Sequence, residues 1–219
     1  MKTLTSVSRR RALGIGLAAG MGTGLASAGL AAAATVLTPR QSAGPFYPVR
    51  LPADSDFDLT RVEGRSARAA GTVVEVVGRV SDEAGRPLAG GRVEIWQCDA
   101  FGFYHHPRDR GGRADPNFQG FGRVTLSDEG LYRFTTIRPV AYPGRTPHIH
   151  FAVSGPGVER LTTQMYLAGE PLNARDFLYN AIRDPAARAS VTVAFDAEAE
   201  GGRPRGRFDL VLGGSLPPR

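Results

Sequence analysis

From Gly71 onward the chain is a succession of short apolar runs with period-two character, each closed by turn-forming residues. Side chains on a strand alternate between faces, so this rhythm suits a sheet with one face in a core and suits a helix badly. Strands are expected at Thr72 to Val80, Arg92 to Cys98, Leu131 to Ile137, His148 to Val153, Ser190 to Phe195 and Arg207 to Leu212. Between them, Ser81 to Gly85 (SDEAG) and Ser127 to Gly130 (SDEG) carry the acid-then-glycine chemistry of tight turns. The expectation is a mainly β chain, an antiparallel β-sandwich with long loops and one short helical segment.

Three segments break the pattern. Arg108 to Gly122 reads as a long Gly- and Arg-rich loop, and Asn173 to Arg188 as the helical stretch, with Asn173 as its cap. Thr38 to Tyr47 (TPRQSAGPFY) holds two prolines and is expected to lie against the sandwich as an arm. No internal repeat is visible.

Residues 1–34 differ in kind. Arg9, Arg10 and Arg11 precede a Gly- and Ala-rich apolar stretch with no charge until Arg40, the pattern of a twin-arginine-type export signal. Ala26-Ser27-Ala28 and Ala32-Ala33-Ala34 offer cleavage sites, while the uncharged run is also long enough for a retained anchor. Residues 35–219 are then one domain, exported to the periplasm or beyond. The net charge of +6 falls to +2 without the four basic residues of that leader. After Lys2 every basic residue is an arginine, and these alternate with acids, so no nucleic-acid stripe is expected. Cys98 is the single cysteine, which rules out an intramolecular disulfide framework and reads as a small buried apolar residue.

Chemistry concentrates in Tyr142 to His150, YPGRTPHIH. On a strand, His148 and His150 project from one face about 7 Å apart, while Ile149, Phe151 and Val153 face the core. The remaining two of the four histidines, His105 and His106, follow Tyr104 directly. A His-x-His pair alone is a weak signal of a metal site and more often a hydrogen-bonded core or surface pair. Tyr104, Tyr142, His148 and His150 together could surround one metal. Phenolate is a hard anionic donor suited to iron(III), which can hold a tyrosine deprotonated near neutral pH. Two phenolates and two neutral imidazoles leave such an ion with residual positive charge, which would attract an anionic bidentate ligand.

The chain resembles the intradiol ring-cleavage dioxygenases, the family of protocatechuate 3,4-dioxygenase and catechol 1,2-dioxygenase. The segments that carry the resemblance are TPRQSAGPFYP from Thr38, GRVSDEAGRPLAGGRVEIWQCDAFGFYHH from Gly78, DPNFQGFGR from Asp115, TIRPVAYPGRTPHIHF from Thr136 and TQMYLAGEPLN from Thr163. It implies a β-sandwich with non-haem Fe(III) held by Tyr104, Tyr142, His148 and His150. It also implies a catalytic role for Arg145 beside the substrate, for Tyr142 as proton acceptor and for Gln164 behind the metal ligands. The expected reaction takes a catechol-type substrate and O2 to a cis,cis-muconate-type product. His105 and His106 match no family ligand and are expected at the pocket mouth or surface. Trp96 and Phe46 read as core.

Two departures from the family matter. Only Gly144 separates Pro143 from Arg145, where larger protocatechuate enzymes carry an insertion, so a more open pocket is expected. No long helical N-terminal dimerisation region is visible. Ring substituents and oligomeric state, a homo-oligomer included, stay open. The rival readings are a non-catalytic extracytoplasmic binding module and a zinc or copper enzyme using the four histidines with the tyrosines idle. Extradiol cleavage would need two histidines and a carboxylate, and no acid falls at a matching place.

Overall fold

A computed structural model of the chain describes residues 35–196, 202–214 and 216. The expected export signal at residues 1–34 lies outside them. Among the described residues ten strands form two sheets: β1 (Val73–Asp82), β2 (Arg92–Trp96), β3 (Phe121–Thr125), β4 (Leu131–Ile137), β5 (His148–Gly155), β6 (Val158–Leu167), β7 (Thr192–Val193), β8 (Phe195–Asp196), β9 (Arg205–Arg207) and β10 (Leu210–Leu212). One sheet runs β10-β1-β9-β8 with β4 on the other edge of β1, and the second runs β3-β2-β5-β6-β7.

The antiparallel sandwich is as the apolar rhythm predicts, with parallel additions. β9 pairs parallel with the middle of β1 and β10 with its end, so one long strand serves two short ones along a single edge. The predicted run Arg207 to Leu212 is therefore two strands, and Ser190 to Phe195 divides into the end of a helix and parts of β7 and β8. Two strands were not foreseen. β3 lies at the end of the presumed Gly-rich loop, and β6 forms a hairpin with β5 through the turn at Gly155 to Val158.

The helical segment contains a 3-10 turn (Pro171–Arg175), α1 (Phe177–Ala181) and α2 (Pro185–Ser190). Asn173 is not its cap. It is buried inside the 3-10 turn, where its amide donates to the Leu167 carbonyl, while Asp176 caps α1 and Asp184 caps α2 through side-chain oxygens. A short carboxylate that reaches two free N–H groups satisfies a helix start better than a buried amide engaged elsewhere.

The second sheet is buried on both faces, and this decides where the site lies. Ile149, Phe151 and Val153 of β5 face the inter-sheet core with Val76, Phe134 and Phe208. On the opposite face Trp96, Cys98, Tyr104, Phe121 and Ala152 form a second cluster, covered by Ala43, Phe46 and Tyr47 of the N-terminal arm. The arm is tied down by Gln41, whose backbone N–H donates to the Thr162 carbonyl at 2.8 Å. Gly44 crosses His150 so closely, at φ +67°, that an added Cβ would stand 3.3 Å from the imidazole.

Candidate functional site

β5 places His148 and His150 on the outer face of its sheet, both 1% exposed. Register sets their neighbours. Trp96 pairs with His150 from β2, while Gln164 and Tyr166 of β6 pair with His150 and His148. Trp96 stacks flat on His150, centroids 4.8 Å apart with 4° between planes, which fixes the ring's tilt.

The two tyrosines arrive on loops. In Tyr142-Pro143-Gly144-Arg145 the Arg145 N–H donates to the Tyr142 carbonyl at 3.0 Å. Proline at the second position and glycine at φ +83° in the third make this a type II turn, which swings Tyr142 and Arg145 to the same side. The loop of Tyr104 is folded around two carboxylates. Asp99 accepts from the backbone of Phe101, Phe103 and Asp115, and Asp109 accepts from Tyr104 N at 2.7 Å.

All four predicted donor residues converge. Centroid separations are 5.6 Å for Tyr104 and Tyr142, 5.5 Å for Tyr142 and His148, 4.7 Å for His148 and His150, and 6.4 Å for Tyr104 and His150. His148 Nδ1 lies 2.6 Å from the Thr146 carbonyl, which only accepts, so the proton is on Nδ1 and Nε2 carries a lone pair. That lone pair stands 3.2 Å from His150 Nε2.

Burial shapes the electrostatics. It drives the Tyr104 phenol far above its ordinary value and raises Tyr142 as well, against the nearby Arg145 charge. It lowers His148 to about 4 and His150 well below the usual imidazole value, with Arg145 adding to both effects. Both imidazoles are therefore neutral near pH 7. The Tyr104 hydroxyl and His150 Nδ1 are buried without a hydrogen-bond partner. The orphaned Tyr104 hydroxyl costs free energy that a cation bound among Tyr104 Oη, Tyr142 Oη and the two Nε2 atoms would recover. Among the described residues no three His, Cys, Asp or Glu side chains cluster, so a site built without the tyrosines has no third donor of those types there.

Arg145 lies against this group, with Nη1 3.5 Å from Tyr142 Oη and 3.3 Å from His148 Nε2. Its Nη2 donates to Gln164 Oε1, and its Nε donates to Asp176 Oδ2 at 2.8 Å. Gln164 is wholly buried, and its amide nitrogen donates to the Ser42 carbonyl, so it ties the arm to Arg145 behind the imidazoles. Asp176 is the functional neighbour that sequence reasoning missed. Its only visible signal was a helix-capping one.

Phe46 is not simply core. It is half-buried, stacks on Tyr104 at 4.5 Å and meets Tyr142 edge-on. Trp96 is core and site together. His105 is exposed and bonds the Asp115 carbonyl through Nε2, whereas His106 is buried and accepts from Arg108 N, so neither joins the other two histidines. The described Gly144 is open, with nothing within 4 Å of an added Cβ, although His148 and His150 beneath it are closed off.

Comparison with known proteins shows the family. A family model described as Dioxygenase matches residues 42–214. The protocatechuate 3,4-dioxygenase beta chain of Burkholderia cepacia is 38% identical over 185 residues, covering 80% of this chain and 79% of the relative. Catechol 1,2-dioxygenase 1 of Acinetobacter lwoffii is 32% identical over 65% of this chain, which spans only 50% of that relative's length. The solved dioxygenase domain of a dioxygenase and carbohydrate-binding protein fusion from Streptomyces sp. SirexAA-E superposes with a TM-score of 0.62 at 30% identity, covering 82% of this chain and 100% of that one. On the family match and the extent of these likenesses, the chain belongs to the intradiol ring-cleavage dioxygenases, a family of oxidoreductases.

Proposed function

We propose that this protein uses a non-haem iron(III), held by Tyr104, Tyr142, His148 and His150, to cleave a catechol-type ring between its two hydroxylated carbons with O2, giving a cis,cis-muconate-type diacid. The observation that carries the reading is the His148 Nε2 lone pair, 3.2 Å from His150 Nε2, in a buried pocket whose Tyr104 hydroxyl has no partner. The donor set is two hard oxygens and two imidazoles, which suits a hard trivalent ion, and burial that opposes phenolate formation is offset by such a charge.

Iron would supply Lewis acidity toward a bound catecholate, drawing density from the ring so that a ring carbon reacts with O2. The protein's own residues divide the remaining work. Tyr104 is fixed by Asp99 and Asp109 and nearly sealed, so it is the permanent ligand. Tyr142 is half-buried on a turn, and as a phenolate its Oη is placed to take a catechol hydroxyl proton. Arg145, held at fixed position by Asp176 and Gln164, is a preorganised positive charge for the negative charge that develops on the ring oxygens. Trp96 and Phe46 keep water from the donor atoms. Residues 1–34 are read as an export signal, which would place this chemistry outside the cytoplasm on aromatics met there.

The test is the visible spectrum of the purified protein with its iron content, taken before and after catechol is added without oxygen. A tyrosinate-to-iron band that shifts on catechol binding is expected, with oxygen uptake and a ring-opened diacid once air is admitted. A protein that stays colourless after iron is supplied would overturn the reading and favour a binding module.

A further inference from the structure

Beside Tyr104, the loop 46–65 and the loop 104–121 enclose a cleft of about 600 Å³. Of the residues gathered at the candidate metal centre Tyr104 and Phe46 line it, whereas His148, His150, Tyr142 and Arg145 do not. Its floor is aromatic, made by Phe46, Phe118 and Phe121, and Phe118 and Phe121 are each 1% exposed. Arg50, Arg65 and Arg113 stand around it, all exposed, and none makes an ion pair among the described residues.

Two acids also line the cleft, but both are already committed to the backbone. Asp109 accepts from Tyr104 N and Gly111 N, and Asp54 accepts from Glu63 N. Three arginines against these two carboxylates leave the lining with a net charge of +1, and of these charged groups the arginines are the ones with free hydrogen-bonding groups. Two buried side chains add directional groups. His106, 8% exposed, accepts from Arg108 N at Nδ1, so its neutral ring carries the proton on Nε2 as a donor. Gln119, 7% exposed, has an Oε1 with no hydrogen-bond partner.

We propose that this cleft, which adjoins the metal centre at Tyr104 but does not include its histidines, is a second ligand site for a planar aromatic carboxylate whose ring lies on Phe46, Phe118 and Phe121 and whose carboxylate is met by Arg65 and Arg113. A volume of this size holds one or two rings, within the ordinary range for small-molecule sites. Guanidinium matches carboxylate in a two-pronged geometry that a compact ammonium cannot give. An inorganic oxyanion would use the arginines and gain nothing from the aromatic floor. The carboxylate end and the flat apolar body are both needed to use what the cleft offers.

The probe is 4-fluorobenzoate, followed by its fluorine resonance during titration into the whole protein. The neutral 4-fluorobenzyl alcohol and inorganic phosphate serve as comparisons. One saturable site is expected, retained when His148 and His150 are both replaced by alanine, and weakened about tenfold or more in the pair R65A and R113A, a loss near 1.4 kcal/mol. Arg50→Ala should weaken it less, and the alcohol should bind about tenfold worse than the acid. Both arginines are exposed and without ion pairs, and circular dichroism of the variants checks that they fold. Loss of binding in the histidine variant would assign the probe to the metal centre. Binding indifferent to the arginines, or displaced by equimolar phosphate, would equally overturn the site as stated.

Discussion

Arg145 Nε and Asp176 Oδ2 are 2.8 Å apart, and their side chains are 8% and 0% exposed, so the charge nearest the imidazoles is balanced by a carboxylate that never meets solvent. The same Asp176 oxygen accepts from Thr146 N, and its other oxygen accepts from Leu178 N and Tyr179 N at the start of α1. One residue thus couples the helical segment, the approach to β5 and the guanidinium beside the site.

Asp176→Ala is expected to be among the most damaging single changes in the domain. It strands a buried guanidinium and frees three backbone donors, a class of change that typically costs about 3–5 kcal/mol. Asp176→Asn keeps the shape but loses the charge and one of the two accepting oxygens, so it should unfold at a denaturant midpoint between parent and Ala while lowering turnover more than iron content. Chemical unfolding and metal analysis of both variants check this, and an Asn midpoint equal to that of the parent would remove charge pairing from the account.

Tyr104→Phe should act in the opposite direction on the metal-free domain. The Tyr104 hydroxyl is buried without a partner, and deleting such a group is neutral or stabilising by about 1 kcal/mol. The same change should sharply weaken iron binding, because it removes one of the two oxygen donors. A metal-free variant much less stable than the parent would show that the hydroxyl serves the fold and not the site.

How far this site was legible in the sequence depends on which interactions are local. His148 and His150 could be placed on one face because a period of two fixes direction without knowledge of the partner strands. Tyr142 and Arg145 were legible as a pair because Pro143-Gly144 dictates the turn between them. β6 escaped because it is buried on both faces over its second half, and Thr163, Gln164 and Met165 break the alternation that a one-sided strand shows. β3 escaped because Gly-rich sequence runs into it. Asp176 could be read as a helix cap from Asp-Phe-Leu-Tyr, but its bond to a residue 31 positions earlier has no local trace. Asn173 misled for a related reason: it has the chemistry of a cap and spends it on the Leu167 carbonyl and the Thr146 hydroxyl.

Gly144→Ala tests the turn directly. A residue with a Cβ at φ +83° is strained by about 1–2 kcal/mol, although open space surrounds the position. The turn should therefore relax and move Tyr142 relative to Arg145. Stability should fall by about that amount, and the tyrosinate band of the iron-loaded protein should shift or weaken. An unchanged spectrum with the expected loss of stability would mean the Tyr142 position is held by its packing on Phe46 and Tyr104 instead.

The imidazoles set the pH dependence of the metal-free domain. An unfolded histidine titrates near 6.5, whereas burial first and the Arg145 charge second hold His148 down to about 4 in the fold, and burial, then the neighbouring His148, then Arg145 hold His150 well below its ordinary value. Below pH 6.5 the unfolded chain therefore binds protons that the native state refuses, so the sign is fixed: stability is full above that value and falls steadily toward pH 4. Denaturant midpoints of the metal-free protein at pH 7, 5.5 and 4.5 should decrease in that order, and replacing both histidines with phenylalanine should flatten the trend through this window. A metal ion on the two Nε2 atoms competes with the same protons, so iron-loaded protein should hold its midpoint to lower pH and then lose metal and stability together. A metal-free midpoint that stays constant from pH 7 to 4.5 would mean the pocket opens to water around His148 and His150 before the fold gives way.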